Sequence, residues 1–438
     1  MSLWGKLRSA FGAGNGAEAP EKAEGAARGG AEKAGSTAKP PTPKDHFAAT
    51  VRAAILEAHP DVEVRPHPDA YGFVIVRGGK EQSMFLDNAF VETRDLDPEG
   101  RAFQIGRLVR TMTPPDHAAM SWDEVRPKLA PLLRTPSLFA QLAQLGIDRR
   151  PLARAFAPHL VECVGIDSDD GIAYASADQI GNWGVSADEA FSVAAANGAA
   201  YFTDDVEPYD REAPYPLWHV ARTDSYESSR LLVPGWLASF AGKVSGRPVA
   251  IVPSRALLVV GGDGDDRCLQ RLVTTAKAEF QAAARRTSPA LYTVDDAGKV
   301  VPLVLPAGHP RADEVALGHA ILAMSEYEEQ REPLQKRLGD DVFVASYKAV
   351  QLEAGGILTY AVWSRGSVSL LPEVGEVALL VDPGVQGSEI LRVPWGKLVE
   401  LAGDCLTRED GVEPPRWRAS GWPDEDAMKH LRAAALGR

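Results

Sequence analysis

The chain has 438 residues, of which 45% are hydrophobic and 24% charged, and a formal net charge of −13 at pH 7. That length exceeds one ordinary core, so two or three units are expected, with the composition of a soluble globular protein. An acidic body repels phosphate backbones, which excludes nucleic-acid binding as the main activity, and no apolar run approaches the roughly 20 residues of a membrane span.

In chain order, Leu3, Trp4, Leu7 and Phe11 recur at near-helical spacing around Lys6 and Arg8. Such a segment suits weak docking on a membrane surface or a partner. Residues 12–41 are rich in Ala, Gly, Glu, Lys and Pro and hold no aromatic residue. They cannot bury enough apolar surface to offset their ordering entropy, so residues 1–41 read as a disordered tether. Thr42-Pro43-Lys44-Asp45 carries an N-cap, an N1 proline and an N3 acid, which together open a helix. Phe47, Val51, Ile55 and Leu56 form its apolar stripe. The period then changes to two through Val62, Val64 and Tyr71 to Val76, and Gly78-Gly79 turns the chain into Ser83 to Leu86. A helix with Phe103, Leu108 and Val109 completes an α-β-β-β-α unit over residues 42–115.

A second unit is expected over residues 116–306. Ser121-x-x-Glu124 is a capping box that predicts a helix through Leu133. Leu160 to Ile166 and Ile172 to Ala175 flank Asp169-Asp170-Gly171, a hairpin signal. A second box, Ser186-x-x-Glu189, opens a helix with Asn197-Gly198 as its C-cap. Trp218 to Arg222 reads as a strand and Pro234 to about Lys243 as a helix. Val249 to Val260 holds two apolar strand halves around Pro253-Ser254-Arg255; proline cannot donate to a ladder, so the strand breaks or bulges there. A helix from Arg267 to about Arg286 and a hairpin from Leu291 to Leu305 follow. The third unit, residues 307–438, begins with a helix from about Arg311 to Leu338. Four strand segments come next: Val342–Leu352, Leu358–Trp363, Val368–Leu371 and Val377–Val381. Short turns between them predict a four-stranded antiparallel sheet. Helices at Trp395–Ala402 and Asp424–Ala434 end the chain. Strands in blocks, rather than alternating with helices, make the class α+β: several small mixed or antiparallel sheets flanked by helices, in two to three units.

Residues 134–305 resemble the YtpQ-like family of uncharacterised bacterial proteins. Arg134-Thr135-Pro136-Ser137-Leu138-Phe139, the hairpin through Tyr174, the helix with Ala190 and Asn197, Asp224 through Leu232, and Pro253-Ser254-Arg255 carry the resemblance. The unit from residue 44 is expected to share the pattern, and the region after 307 to be an addition. Ala256 stands where the resemblance implies an acid after the arginine. The family supplies no activity; it implies a cytoplasmic α+β fold.

Chemical motifs are mostly absent. None of the nine histidines forms H-x-H or H-x-x-x-H, and there is no G-x-S-x-G elbow, Walker lysine loop or strand-linked G-x-G-x-x-G. No catalytic residue, metal or cofactor is therefore expected. Gly261-Gly262-Asp263-Gly264-Asp265-Asp266 occurs once, whereas calcium β-roll sites stack copies, so it reads as a loop into a helix N-terminus. Cys163, Cys268 and Cys405 are odd in number and far apart; they argue against a disulfide framework and for a reducing cytoplasm. Tyr360, Trp363, Trp395, Trp417 and Trp422 read as core aromatics. The best constellation is Ser225, Ser228, Ser229 and Arg230, with Arg255 converging on it: hydroxyls and guanidinium forks that suit an anion. The competing reading pairs Arg230 internally and uses Asp224 or Ser225 as a cap. The expected function is a non-enzymatic interaction or adaptor protein whose partner is another protein. The alternative is a small-molecule-binding domain or hydrolase using the Arg/Ser site on an anionic substrate.

Overall fold

Helix α1 (Pro43–Ala58) starts where the capping residues place it: Thr42 N donates to Asp45 Oδ2 at 2.7 Å and Asp45 N to Thr42 Oγ1 at 3.3 Å. The computed structural model describes residues 41–68, 70–110, 120–168 except 145–149, 171–202, 206–222, 224–385 and 388–436. The expected tether, with Leu3, Trp4, Leu7 and Phe11, lies outside the described residues, as do Asp169 and Asp170. Phe47, Val51 and Ile55 of α1 are buried against an antiparallel meander, β1 (Glu63–Pro66), β2 (Gly72–Arg77) and β3 (Lys80–Phe85). Two helices follow rather than one, α2 (Asp87–Thr93) and α3 (Pro98–Arg110). In α3 the buried positions are Ile105 and Val109, and Phe103 of the expected stripe is 61% exposed.

The capping box at Ser121 forms, with Ser121 N donating to Glu124 Oε2 at 2.8 Å. The helix it opens is a single turn, α4 (Trp122–Val125), not a run to Leu133. Pro127 and Pro131 bar a continuing helix. Leu129–Arg134 is instead strand β4, buried at every position. Its two faces enter different cores: Leu129, Pro131 and Leu133 face α7 (Ala187–Tyr201) and the central sheet, while Ala130 and Leu132 pack with Cys163 and Tyr226. A strand buried on both sides loses the alternation that would have announced it. Pro131 is tolerated because β4 pairs on one side only, with β6 (Leu160–Ser168). Helix α5 (Ser137–Gln144) follows β4, β5 (Ala153–Ala157) and β7 (Gly171–Tyr174) pair with separate stretches of β6, and α6 (Ala177–Trp183) precedes α7. Gly198 lies inside α7 rather than capping it: a Cβ there would sit 2.8 Å from the Pro131 ring, so glycine lets the helix approach β4.

A six-stranded antiparallel sheet lies at the centre, in the order β13-β12-β10-β11-β9-β8. Its strands are β8 (Val206–Pro208), β9 (Trp218–Val220), β10 (Pro248–Ser254), β11 (Leu257–Gly262), β12 (Arg286–Val294) and β13 (Val300–Pro302). β10 bulges between Ile251 and Ser254, around the proline that cannot donate. Helix α8 (Asp266–Ala282) covers one face, capped by Asp265, whose carboxylate accepts Arg267 N at 2.9 Å. The other face is covered by two 3₁₀ segments, Ser228–Leu232 and Leu237–Phe240. The helix expected over 234–243 shrinks to the second of these, between Gly235 and Gly242, both at positive φ.

Helix α9 (Ala312–Leu338) packs on β12 with one face. Gly318 makes that approach possible: a Cβ there would lie 2.8 Å from the Pro289 carbonyl oxygen. Another face of α9 meets the last block of strands. That block is two mixed four-stranded sheets rather than one antiparallel sheet. β14 (Phe343–Val344), β17 (Ser369–Pro372), β20 (Leu406–Arg408) and β21 (Arg416–Ala419) form one, and β15 (Lys348–Gln351), β16 (Ile357–Ser364), β18 (Glu376–Leu380) and β19 (Ile390–Pro394) the other. β17 leaves for the other sheet, so β18 returns beside β16 in parallel. Helices α10 (Trp395–Ala402) and α11 (Glu425–Ala434) close a core around fully buried Trp363, against which Trp395, Trp417 and Trp422 pack. The molecule is thus α+β. Among the described residues no helix is long and apolar enough to cross a membrane.

Candidate functional site

The Arg/Ser constellation folds into a 3₁₀ turn, and most of it faces inward. Ser228, Ser229 and Arg230 are buried, with Arg230 at 2% exposure. The Arg230 guanidinium grips Asp224 with both nitrogens, at 2.9 and 3.2 Å, and lies 4.8 Å from the centre of the Phe202 ring. Its charge is neutralised within the fold. Ser229 Oγ accepts Leu133 N at 3.0 Å and so ties the turn to β4. Ser225 is exposed, at φ +68°. Ser228 N donates to the Arg255 carbonyl at 3.3 Å, and the Ser228 hydroxyl has no partner among the described residues. The structure therefore brings Ser228 and Arg255 together and takes Arg230 out of play. Asp263, in the glycine–aspartate loop, accepts Arg247 N at 2.6 Å and Arg247 Nε at 2.7 Å. Among the described residues no group of three His, Cys, Asp or Glu is placed to hold a metal ion.

A larger feature lies elsewhere. A cleft of about 510 Å³ opens between the first half of α9, the chain leaving β13 (302–305), the β5–β6 turn and the start of the β15–β16 hairpin. Its walls are mainly aliphatic, including Leu303, Val315, Ala316, Leu322 and Ile357, and among the described residues no Lys or Arg lines it. Asp313, the one acid among the described wall residues, is used: its Oδ1 accepts Gly356 N at 2.8 Å and so fastens the β15–β16 turn to α9. A smaller notch of about 360 Å³ runs along Pro208–Trp218 and is built from a single loop.

Two imidazoles line the cleft. His159 sits in the two-residue β5–β6 turn after Pro158, at φ +60°. Proline followed by a positive φ is the pattern of a type II turn, whose second position favours glycine. A histidine there stores strain, and such strain clusters at functional positions. Its ring stands edge-on to Tyr327, 5.5 Å between centres, and Tyr327 stacks on Tyr347 at 5.3 Å. His319 follows Gly318 on α9, and its ring stands edge-on to Tyr292 at 6.0 Å. The Tyr292 hydroxyl is 2.7 Å from Ser288 Oγ. His159 Nδ1 and His319 Nε2 are buried and have no hydrogen-bond partner among the described residues. Burial first, and the His319 charge second, hold His159 down at about 4; burial likewise lowers His319. Both rings are therefore neutral at pH 7, each with one N–H and one lone pair. Burial also raises the Tyr347 phenol above its ordinary value.

No protein-family model matches this chain, and no curated protein or solved structure is significantly similar to it. The cleft escaped the sequence because its two histidines are 160 positions apart, on a turn and a helix. Metal-type spacings test local pairs and find nothing there. The one local signal was Pro158-His159 between two strand runs, a turn with a histidine where glycine is usual.

Proposed function

We propose that this protein is a non-catalytic binder of a small, uncharged, mostly apolar molecule that carries a hydrogen-bonding group. The observation that carries this reading is the cleft of about 510 Å³, walled by aliphatic side chains and two neutral imidazoles. Ligand sites are typically apolar cavities of roughly 300–1,000 Å³ with a few placed polar groups. The walls belong to a helix, a hairpin and a tight turn fastened to one another, which favours a preformed site. A charged ligand is disfavoured: among the described residues no basic side chain lines the cleft, and Asp313 is already bonded to Gly356. Three free cysteines, two of them buried, support action in the cytoplasm.

The test is titration with N-phenyl-1-naphthylamine, an uncharged apolar fluorophore with one N–H. The wild type is expected to enhance its fluorescence saturably, at one site per chain. Ala316→Trp, which puts an indole into the cleft from an exposed position, is expected to abolish that signal and keep the melting temperature. Non-saturable enhancement, or equal binding by the filled variant, would overturn the proposal.

A further inference from the structure

Arg255 closes the β10–β11 hairpin, half-buried and within electrostatic reach of a second arginine. Arg134, at the end of β4, is only 5% exposed. Its Nε donates to the Tyr174 hydroxyl and its Nη1 to the Leu133 carbonyl, both at 2.8 Å. Both acceptors are neutral, and neither accounts for its remaining N–H groups. The two arginines are held together by one 3₁₀ turn, since Leu133 N donates to Ser229 Oγ at 3.0 Å and Ser228 N to the Arg255 carbonyl at 3.3 Å. Arg285 is tied to Arg255 through the backbone, Arg255 N donating to the Arg285 carbonyl at 3.2 Å, and its own charge is answered by Glu92 at 2.7 Å.

The acids of the neighbourhood are committed elsewhere. Glu162 is bound by Arg154 at 2.6 Å and Asp224 by Arg230 at 2.9 Å. Asp167 lies against Tyr226, and burial keeps Glu227 toward its neutral form. No ion pair among the described residues involves Arg134 or Arg255. Burial first, and Arg134 second, lower Arg255 to about 10. A chain of net charge −13 thus keeps one buried and one half-buried like charge within electrostatic reach of each other. That arrangement is unfavourable unless an anion completes it.

We propose that Arg134 and Arg255, with the Tyr174 phenol that fixes Arg134, form a binding site for a phosphate group. Two guanidinium forks match the charge and the several oxygens of a phosphate dianion, whereas one carboxylate answers only one fork. The site differs from the sequence expectation, because Arg134 takes the place of Arg230 and the serines act as scaffold. It is independent of the apolar cleft.

The experiment is calorimetric titration and thermal melting of the full chain with inorganic phosphate at low ionic strength. Acetate, and sodium chloride matched in ionic strength, are the controls. Phosphate is expected to bind at one site and raise the melting temperature above either control. Arg255→Gln should weaken phosphate binding by at least about tenfold, the worth of one charge-assisted bond. Without phosphate it should melt no lower than wild type, since a repulsion is removed. Should Arg255→Gln not fold, Arg255→Lys keeps the charge without the fork and should bind several-fold more weakly. Arg211→Gln, on the loop after β8, should change nothing. The site is refuted if phosphate does no more than chloride, if acetate matches phosphate, or if the folded Arg255 variant binds as wild type.

Discussion

At the scale of single residues, His159 has two separable properties: a strained backbone and a buried neutral ring. His159→Gly removes both. Glycine tolerates φ +60° without a Cβ clash. The variant is therefore expected to be as stable as wild type at pH 7, or more stable by about 1 kcal/mol, and to lose N-phenyl-1-naphthylamine binding. The ring also makes stability depend on acid. Its pKa falls from 6.5 in the unfolded chain to about 4 in the fold, so the folded state binds fewer protons in that interval. Stability from this group is full above pH 6.5 and declines toward pH 4, by up to about 3 kcal/mol. Urea melts at several pH values check both points; an acid slope unchanged in His159→Gly would assign the effect elsewhere. Arg416 is a different case, at 0% exposure. It donates to the carbonyls of Ala345 (2.7 Å), Leu370 (3.1 Å) and Tyr327 (2.9 Å) and to Gln330 Oε1. This one side chain ties β17 and the chain before β15 to α9. Arg416→Ala strands four acceptors and is expected to cost about 4 kcal/mol, read from denaturant melts. A loss below about 1 kcal/mol would show that water replaces the guanidinium.

At the scale of elements, α9 connects the cleft to the rest of the fold. Two turns beyond His319 it presents Glu326, 5% exposed, whose carboxylate accepts Ser137 N at 2.7 Å and Ser137 Oγ at 3.2 Å. A side chain from α9 thereby satisfies the N-terminus of α5, which local sequence capping does not. Burial dominates the Ser137 bonds and raises Glu326 to about 7. The folded state therefore holds an extra proton between pH 4.5 and 7, and stability falls as pH rises through that window. Glu326→Gln keeps an acceptor for Ser137 and removes the charge. It is expected to stabilise the protein above pH 7 by up to about 3 kcal/mol and to be neutral below pH 4.5. Paired melts at pH 4.5 and 8 test this; equal effects at both would show that Glu326 does not titrate in the window. Legibility differed sharply between elements. The start of α1 was readable because Thr42, Pro43 and Asp45 act within one turn. The α8 cap, the β12–β13 hairpin and α9 were readable for the same local reason. β4 was not, because both its faces are buried and Ser121-x-x-Glu124 sits just ahead of it. Gly198 misled as a C-cap because the reason for a glycine there, the close Pro131 ring, lies on β4, far away in sequence.

At the scale of the whole molecule, the α+β class followed from strands running in blocks, but the pairing of the last block did not. Whether a strand stays beside its neighbour or crosses to a second sheet depends on burial that only tertiary packing decides, as with β17. The Arg/Ser site shows the same limit. An internal ion pair for Arg230 was foreseen, but Asp224, six residues away, was read as a cap rather than as its partner; Arg134, about 120 residues from Arg255, was not foreseen in the site at all. The boundary expected near residue 307 meets α9, which packs on β12 on one side and on β15 and β16 on the other. A fragment of residues 307–438 would uncover Val315, Leu322 and the Gly318 face. It is expected to melt well below the full chain; a fragment as stable as the intact protein would mean that the β12 contact adds little. The titrations of His159 and Glu326 oppose each other between pH 4.5 and 6.5, so the two single variants are expected to shift the wild-type pH slope in opposite directions.

The central claim is that the space between α9 and residues 302–305 is a ligand site. The most direct measurement is the anomalous bromine signal from crystals soaked in 4-bromophenol, which is apolar, uncharged at neutral pH and carries one hydroxyl. The bromine should lie among Leu303, Ala316 and Leu322, with the hydroxyl toward His159 or His319. Bromine found only outside the cleft, or nowhere, would contradict the account.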